Sequence, residues 1–258
     1  MVLSAGSLLA QEAPSPSPAA KPKVVLVELF TSEGCSSCPP ADALLKQVNG
    51  MQTTSGQLIV GISEHVTYWN SLGWTDPFSS ATFTDRQNAY GTRFGLDSVY
   101  TPQIVVNGRQ QFVGSDRSRF VQAVRAEQDQ PQPIALHILE TNIAGNSLTV
   151  KFSAAADNAF RGADIVAVIA DDVDQSSVLR GENSGRRLTH VSVARSIARV
   201  AKFESASEQT VQLQIPASYS ETSGHHLILF AQSHDNGPVL GADTTPLLLT
   251  SSQTRKGD

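Results

Sequence analysis

Residues 24–30 read VVLVELF, an apolar run interrupted only by Glu28. A run this short and continuous predicts a β-strand buried on both faces. Pro39 follows, and proline suits the first position of a helix, where a missing N–H costs little. Ala41, Leu44, Leu45 and Val48 then recur at i, i+3, i+4 and i+7, one apolar helical face, and Gly50 stands where a helix stops. Residues 58–62, LIVGI, predict a second buried strand. Strand, helix and strand in this order predict a right-handed βαβ unit with parallel strands. An aromatic-rich loop, EHVTYWNSLGWTDPF, comes next, and Thr84 is placed to cap a helix over DRQNAYGTRF. TPQIVVNGRQQFVG predicts a hairpin, with Asn107-Gly108 as its turn. Ser115 or Asp116 can cap a last helix carrying Phe120, Val121 and Val124.

After Ile134 the texture changes. Leu148, Val150 and Phe152 alternate with polar residues, as do Val211, Leu213 and Ile215. DIVAVIA and HLILFA are continuously apolar, and Ala144-Gly145-Asn146 and Ser223-Gly224 supply turns. Several short strands with few helices predict an antiparallel sandwich. Residues 191–200 are ambiguous, because Val193, Ile197 and Val200 also match helical spacing.

The chain has 258 residues with a formal net charge of -5. That balance gives no general attraction to nucleic acid or to anionic membranes. No apolar run approaches the roughly 20 residues that span a bilayer. MVLSAGSLLAQEA has a short apolar stretch with a small-residue ending like a signal-peptide cleavage region, but no basic start. APSPSPAAKPK then reads as a stiff tether. Export is the expectation drawn from the two together.

Both cysteines of the chain, Cys35 and Cys38, form a C-x-x-C between the first strand and the first helix. Three uses are open. A structural zinc site needs four ligands, and the six histidines show no finger spacing. A structural disulfide across so short a loop stabilises little. A redox pair fits the placement, since a helix N-terminus lowers a thiol pKa and C-x-x-C near a βαβ pattern is a redox signature. Pro39 is expected to leave the first-turn N–H groups facing Cys35. Thr101-Pro102 precedes the third strand, where a thioredoxin-like fold places a cis-proline opposite the cysteines.

VELFTSEGCSSCPPAD, HVTYW, LGW, DRQNAY, VYTPQIVVNGR and the later VLRGENSGRRLTHVSVAR resemble the thioredoxin-like family of predicted secreted bacterial proteins that is named only as a domain of unknown function. The resemblance runs from about residue 24 to near the end of the chain. It implies a thioredoxin-like fold and export, and no substrate. The chain departs from thioredoxins in general: Gly34 precedes the first cysteine, Ser36 and Ser37 separate the pair, and Glu33 opposes a thiolate. A moderately acidic Cys35 is therefore expected.

These readings converge on an α/β thioredoxin-like domain over residues 24–130 and a mainly β, sandwich-like domain over 131–250. A possible remnant signal segment and linker (1–23) and a tail (251–258) flank them. The expected activity is that of an exported, periplasmic or secreted thiol-disulfide oxidoreductase. Cys35 would attack, Cys38 would resolve, and Pro102 would shape the groove. Thr101, Tyr68 and Trp69 are candidate substrate contacts, with Trp74 and Phe78 in the same loop. Glu28 could relay a proton from inside the first strand, or simply sit at a solvent edge. His65 is a candidate thiol neighbour. Arg180, Glu182 and Asn183, with Arg186 and Arg187, form a polar loop that could close over the site or hold a partner. No cofactor is expected. The partners would be a protein thiol or disulfide and a redox partner. Two soft thiolates also suit a copper(I)-binding metallochaperone, with His65 as a further ligand. A redox-silent partner-binding module is the third alternative.

Overall fold

A computed structural model describes residues 21–156, 162–217 and 223–248 of the chain. The leader-like segment, most of the tether and the tail lie outside the described residues. β1 (Val24–Thr31) is buried along its whole length, as its unbroken apolar run predicts. It pairs in parallel with β2 (Leu58–His65), and α1 (Pro39–Val48) crosses between them. α2 (Ala81–Phe94) starts earlier than expected. Ser80 is its cap, accepting the Thr82 N–H, while the Thr84 hydroxyl accepts the Thr67 N–H instead. β3 (Gln103–Val106) and β4 (Gln110–Val113) form the expected hairpin. Its turn residues Asn107 and Gly108 both take positive φ, 45° and 62°, the conformation this tight turn demands. α3 (Arg117–Ala126) is capped by Asp116, which accepts the Arg119 N–H at 2.9 Å.

The second half is built of β5 (Ile134–Ala144), β6 (Ser147–Ala156), β7 (Ala163–Ser177), β8 (Arg187–Phe203), β9 (Ser207–Gln214), β10 (His225–Ser233) and β11 (Val239–Leu247). These strands do not make the separate sandwich the sequence predicts. Four of them continue the first half's sheet, giving eight strands in the order β11-β10-β7-β8-β2-β1-β3-β4; β5, β6 and β9 form a second, three-stranded sheet. The expected α/β thioredoxin-like domain plus sandwich is thus corrected to a mostly β protein built on one large mixed sheet.

The reason lies in β2. Residues Ile59 to His65 are buried, so an open edge there would strand buried N–H and C=O groups. β8 covers that edge: Val193 lies opposite Ser63, and the Ser192 hydroxyl donates to the Gly61 carbonyl at 2.5 Å. Residues 191–200 accordingly belong to a strand, with Ser192 alone at positive φ, since pairing with β7 along their length and with β2 at Val193 overrides their helical spacing.

The sheet carries apolar layers on both faces. Val25, Val27, Leu29, Leu44, Leu45, Phe120 and Val124 pack on the α1 and α3 face. Leu26, Ile62, Phe83, Val168, Ile228 and Phe230 pack on the α2 face and draw on both halves of the chain. Phe152, Val150, Ile165, Leu227 and Leu229 fill the space between the two sheets.

Candidate functional site around Cys35 and Cys38

Residues 32–38 leave the C-terminal end of β1 and turn tightly. Cys35 N–H donates to Ser32 O at 3.1 Å and Cys38 N–H to Cys35 O at 3.2 Å. Cys35 and Cys38 form a disulfide, with Cα atoms 5.4 Å apart. Both are fully buried, while Ser36 and Ser37 between them are exposed. The Cys35 sulfur lies 3.3 Å from the Ser37 hydroxyl.

The helix N-terminus differs from expectation. Pro39 and Pro40 occupy its first two positions and carry no N–H, and the Ala41 and Asp42 N–H groups both donate to Cys38 O, at 2.9 and 3.1 Å. No first-turn N–H is left for the Cys35 sulfur. The dipole persists, but the direct donors that most lower a thiol pKa do not.

Three other segments close around this turn. The first is the aromatic loop after β2. Trp69 Cβ lies 3.0 Å from where a side chain on Gly34 would start, so Trp69 fills the place a larger residue before Cys35 would need. Trp69 Nε1–H donates to Thr101 Oγ1 at 2.8 Å, tying that loop to the hairpin entrance. Trp74 Nε1–H donates to Glu33 Oε2 at 2.9 Å. Asp76, almost fully buried, accepts the Glu33 N–H at 2.8 Å and pairs with His65 Nδ1 at 2.7 Å. Burial pushes the Asp76 carboxyl up, but His65 and the backbone donors outweigh it and hold it below the usual range.

The second segment is the Thr101-Pro102 step, a cis peptide bond. Pro102 O accepts the Gly114 N–H at 2.9 Å. The empty side-chain position of Gly114 is bounded by Ala41 at 3.0 Å and Pro102 at 3.2 Å, so Pro102 packs beside the first turn of α1.

The third is the polar loop of residues 178–186 between β7 and β8. Asn183 is buried, and its Nδ2 donates to both Glu33 O and Cys35 O at 2.9 Å. Glu182 accepts the Ser36 N–H at 3.1 Å, and Arg186 donates to Asn183 Oδ1 at 2.8 Å. This loop therefore lies against the disulfide turn. Arg180 is exposed at its tip.

Beneath the turn lies a charged layer. His190, from β8, sits with Nε2 3.3 Å from Glu33 Oε1 and Nδ1 3.6 Å from Asp42 Oδ1. All three are buried. Burial alone would lower the His190 pKa; the Asp42 and Glu33 carboxylates overcome it and raise it to about 10. Glu33 also receives the Ser176 hydroxyl. The charge expected to oppose a thiolate is thus met by an imidazolium. His65 packs edge-on against His190, ring centres 4.6 Å apart.

Glu28 goes elsewhere. Side chains alternate along β1, so Thr31 reaches Asp42 on the α1 side at 2.9 Å while Glu28 faces α2. There it binds Arg86 Nε at 2.5 Å and the Tyr90 hydroxyl at 2.6 Å, beside a buried Glu64. Tyr68 is partly exposed and bonds Gln87 at 3.2 Å. Among the described residues no group of three or more His, Cys, Asp or Glu side chains is arranged to hold a metal ion.

Asp42 and His190 were missed by sequence reasoning. Asp42 had a signal, an acid one helical turn after Cys38 on the same face. His190 had none, since 157 residues separate it from Glu33.

The profile of one protein family, described as Protein of unknown function (DUF1223), matches residues 26–232. The chain belongs to this family. The matched span includes the disulfide turn and the loop over it. A crystal structure of the Agrobacterium tumefaciens protein AGR_C_4864 is 28% identical, covering 93% of this chain and 100% of that one, with a TM-score of 0.65. HBP35 of Porphyromonas gingivalis is 12% identical over 93% of this chain and 81% of that one, with a TM-score of 0.66, a likeness of fold alone. No curated protein matches the chain. No helix among the described residues is long and apolar enough to cross a membrane.

Proposed function

We propose that the protein carries out thiol–disulfide exchange on protein thiols or disulfides through Cys35 and Cys38, in an oxidising compartment such as the periplasm or outside the cell. The observation that carries this reading is the position of the disulfide. It sits where an interior strand hands over to a helix, at the C-terminal end of β1 where four chain segments converge, above a buried imidazolium held by two carboxylates. A disulfide kept for strength alone would draw little from so short a loop. The compartment rests on the disulfide itself, which cytosolic reductants would open.

In this reaction a substrate thiolate attacks one sulfur, the S–S bond breaks, and the other cysteine leaves as a thiolate. A second substrate thiolate then releases the mixed disulfide. Because both sulfurs are buried, residues 178–186 must first move aside.

That burial is also what favours a second reading, a redox-silent module whose disulfide is inert. One experiment separates them. Folded protein is equilibrated in glutathione or dithiothreitol buffers and the Cys35–Cys38 redox state is trapped by alkylation. Exchange under native conditions, with insulin reduction or oxidation of a reduced protein lost in Cys35→Ser, supports the oxidoreductase. A pair that opens only when the protein unfolds supports the inert module.

A further inference from the structure

We infer that the cleft between α2 and strands β7, β8 and β10 is a second binding site, one that takes a free α-amino acid with a small aliphatic side chain. The cleft lies on the α2 face of the large sheet, opposite the face that α1 covers. Its volume is about 180 Å³. Pockets for drug-sized molecules start near about 300 Å³, so the occupant here is small. Thr82 and Arg86 of α2 wall one side, and Asp164, Val166, Ile197 and Arg199 of β7 and β8 form much of the rest. Strand alternation brings Asp164 there, since it shares a face of β7 with Val166 and Val168, which pack in the layer beneath α2.

Two buried charged groups bound this cleft, and each has bonding capacity left over. The Asp164 side chain is 6% exposed. Its Oδ2 is met by Arg199 Nη2 at 3.0 Å and His234 Nδ1 at 3.5 Å, both on side chains more than half exposed. Its Oδ1 is buried and has no hydrogen-bond partner. Buried carboxylate oxygens are nearly always bonded, because an unpaired one keeps the full cost of leaving water. A donor brought by a ligand removes that cost. The Arg86 side chain is 9% exposed. Its Nε–H goes to Glu28, an Nη1–H to Asn236 Oδ1 at 3.2 Å, and the Nη2–H pair to the Tyr90 hydroxyl and Gln232 Oε1 at 3.1 Å each. A guanidinium carries five N–H donors. One therefore remains, on Nη1, in a group that four contacts hold still.

The unused groups have opposite character, an anionic acceptor and a cationic donor. A single molecule that serves both carries a cationic donor and an anionic acceptor of its own. An α-amino acid does so within a few atoms. Its ammonium donates to Asp164 Oδ1. Its carboxylate accepts the spare Nη1–H of Arg86 and an N–H of Arg199, whose exposed pairing with Asp164 is weak enough to be shared. Val166 and Ile197 give the side chain an apolar wall and no polar partner, which selects a small aliphatic one. A neutral polyol would fill the same space and leave both charges unmatched.

The test is titration calorimetry of the full chain with L-valine, L-valinamide and N-acetyl-L-valine. L-valine should bind with a Kd of about 1 mM or tighter, within the range for a ligand of this size. Valinamide lacks the carboxylate and N-acetylvaline lacks the ammonium. Each should bind at least about tenfold more weakly, the scale of a lost hydrogen bond to a buried charge. Asp164→Asn keeps the shape and should weaken L-valine by the same factor. Ile197→Phe fills the cleft and should abolish binding, which keeps the location testable if Asp164→Asn fails to fold. No heat of binding up to about 10 mM L-valine overturns the inference. So do equal binding of either analogue and undiminished binding in a folded variant. The cleft stands apart from the disulfide, so its failure leaves the exchange reading untouched.

Discussion

Replacing Asn183 with alanine removes the side chain that holds residues 178–186 over the disulfide. Its amide donates to Glu33 O and Cys35 O at 2.9 Å each, and its carbonyl accepts from Arg186. Both backbone carbonyls lose a partner in a buried place. Leaving a buried polar group unsatisfied costs about 1–3 kcal/mol. Water enters once the loop lifts, so only the closed state bears this cost, and the closed state is destabilised relative to the open one. Taking about 1.4 kcal/mol as a lower figure shifts the open fraction tenfold. If dithiothreitol reaches the sulfurs only in the open state, and closing is faster than attack, the rate follows that fraction. Asn183→Ala should therefore be reduced about tenfold faster or more at the same pH and reductant concentration. The assay is time-resolved alkylation trapping of native protein, with the urea unfolding midpoint measured alongside. Local opening exposes little surface, so the rate should barely respond to low urea, whereas global unfolding would respond steeply. A folded Asn183→Ala protein with wild-type reactivity would refute the view that this loop controls access.

Other outcomes follow from the buried charges and close packing. The His190 pKa is about 10 when folded against an ordinary 6.5. Folding then takes up a proton: the stabilisation is full below about pH 6.5 and is lost as pH rises through about 10. Urea midpoints of His190→Gln should fall furthest below wild type at pH 6 and approach it by pH 10; a constant gap contradicts the assignment. Glu64 is fully buried, and burial and then Glu28 push its carboxyl well above the usual range, with Arg86 opposing them. Its folded form retains a proton that the unfolded form gives up, so stability is lost as pH climbs above the ordinary carboxylate range. Glu64→Gln should raise the thermal midpoint at pH 8 and leave it nearly unchanged at pH 4, and a fall at pH 8 would count against this. A side chain at Gly241 would start where the Ile134 carbonyl oxygen stands. That oxygen belongs to the backbone and cannot rotate away, so Gly241→Ala should cost about 1–3 kcal/mol or more by calorimetry; a neutral result would mean the two sheets are not packed this closely.

Much of the first half was legible because its signals are local. An unbroken apolar run specified β1, a single apolar face specified α1, and Asn107-Gly108 specified the hairpin turn, each within a dozen residues. The alternation of β6 and β9 was equally plain, and so were strands there. The sequence alone also settled that Cys35 and Cys38 stand at a strand-to-helix junction, since proline and the periodic face fix where the helix starts.

What only the tertiary structure decided is how the halves meet. Strand patterns say which residues are buried and nothing about which edge they seek. The open edge of β2 could be satisfied by any strand able to reach it, and β8 does so from more than a hundred residues away. That one pairing turned a separate sandwich into the continuation of a single sheet. It also carried His190 under the disulfide and placed Asn183 over it. Glu28 shows the same limit from the other side. The sequence left it between a buried relay and a solvent edge, and the structure buries it facing Arg86 while Thr31 faces Asp42. The place of the cysteines was fixed by local sequence, and the cover over them and the charges beneath them by contacts the local sequence cannot hold.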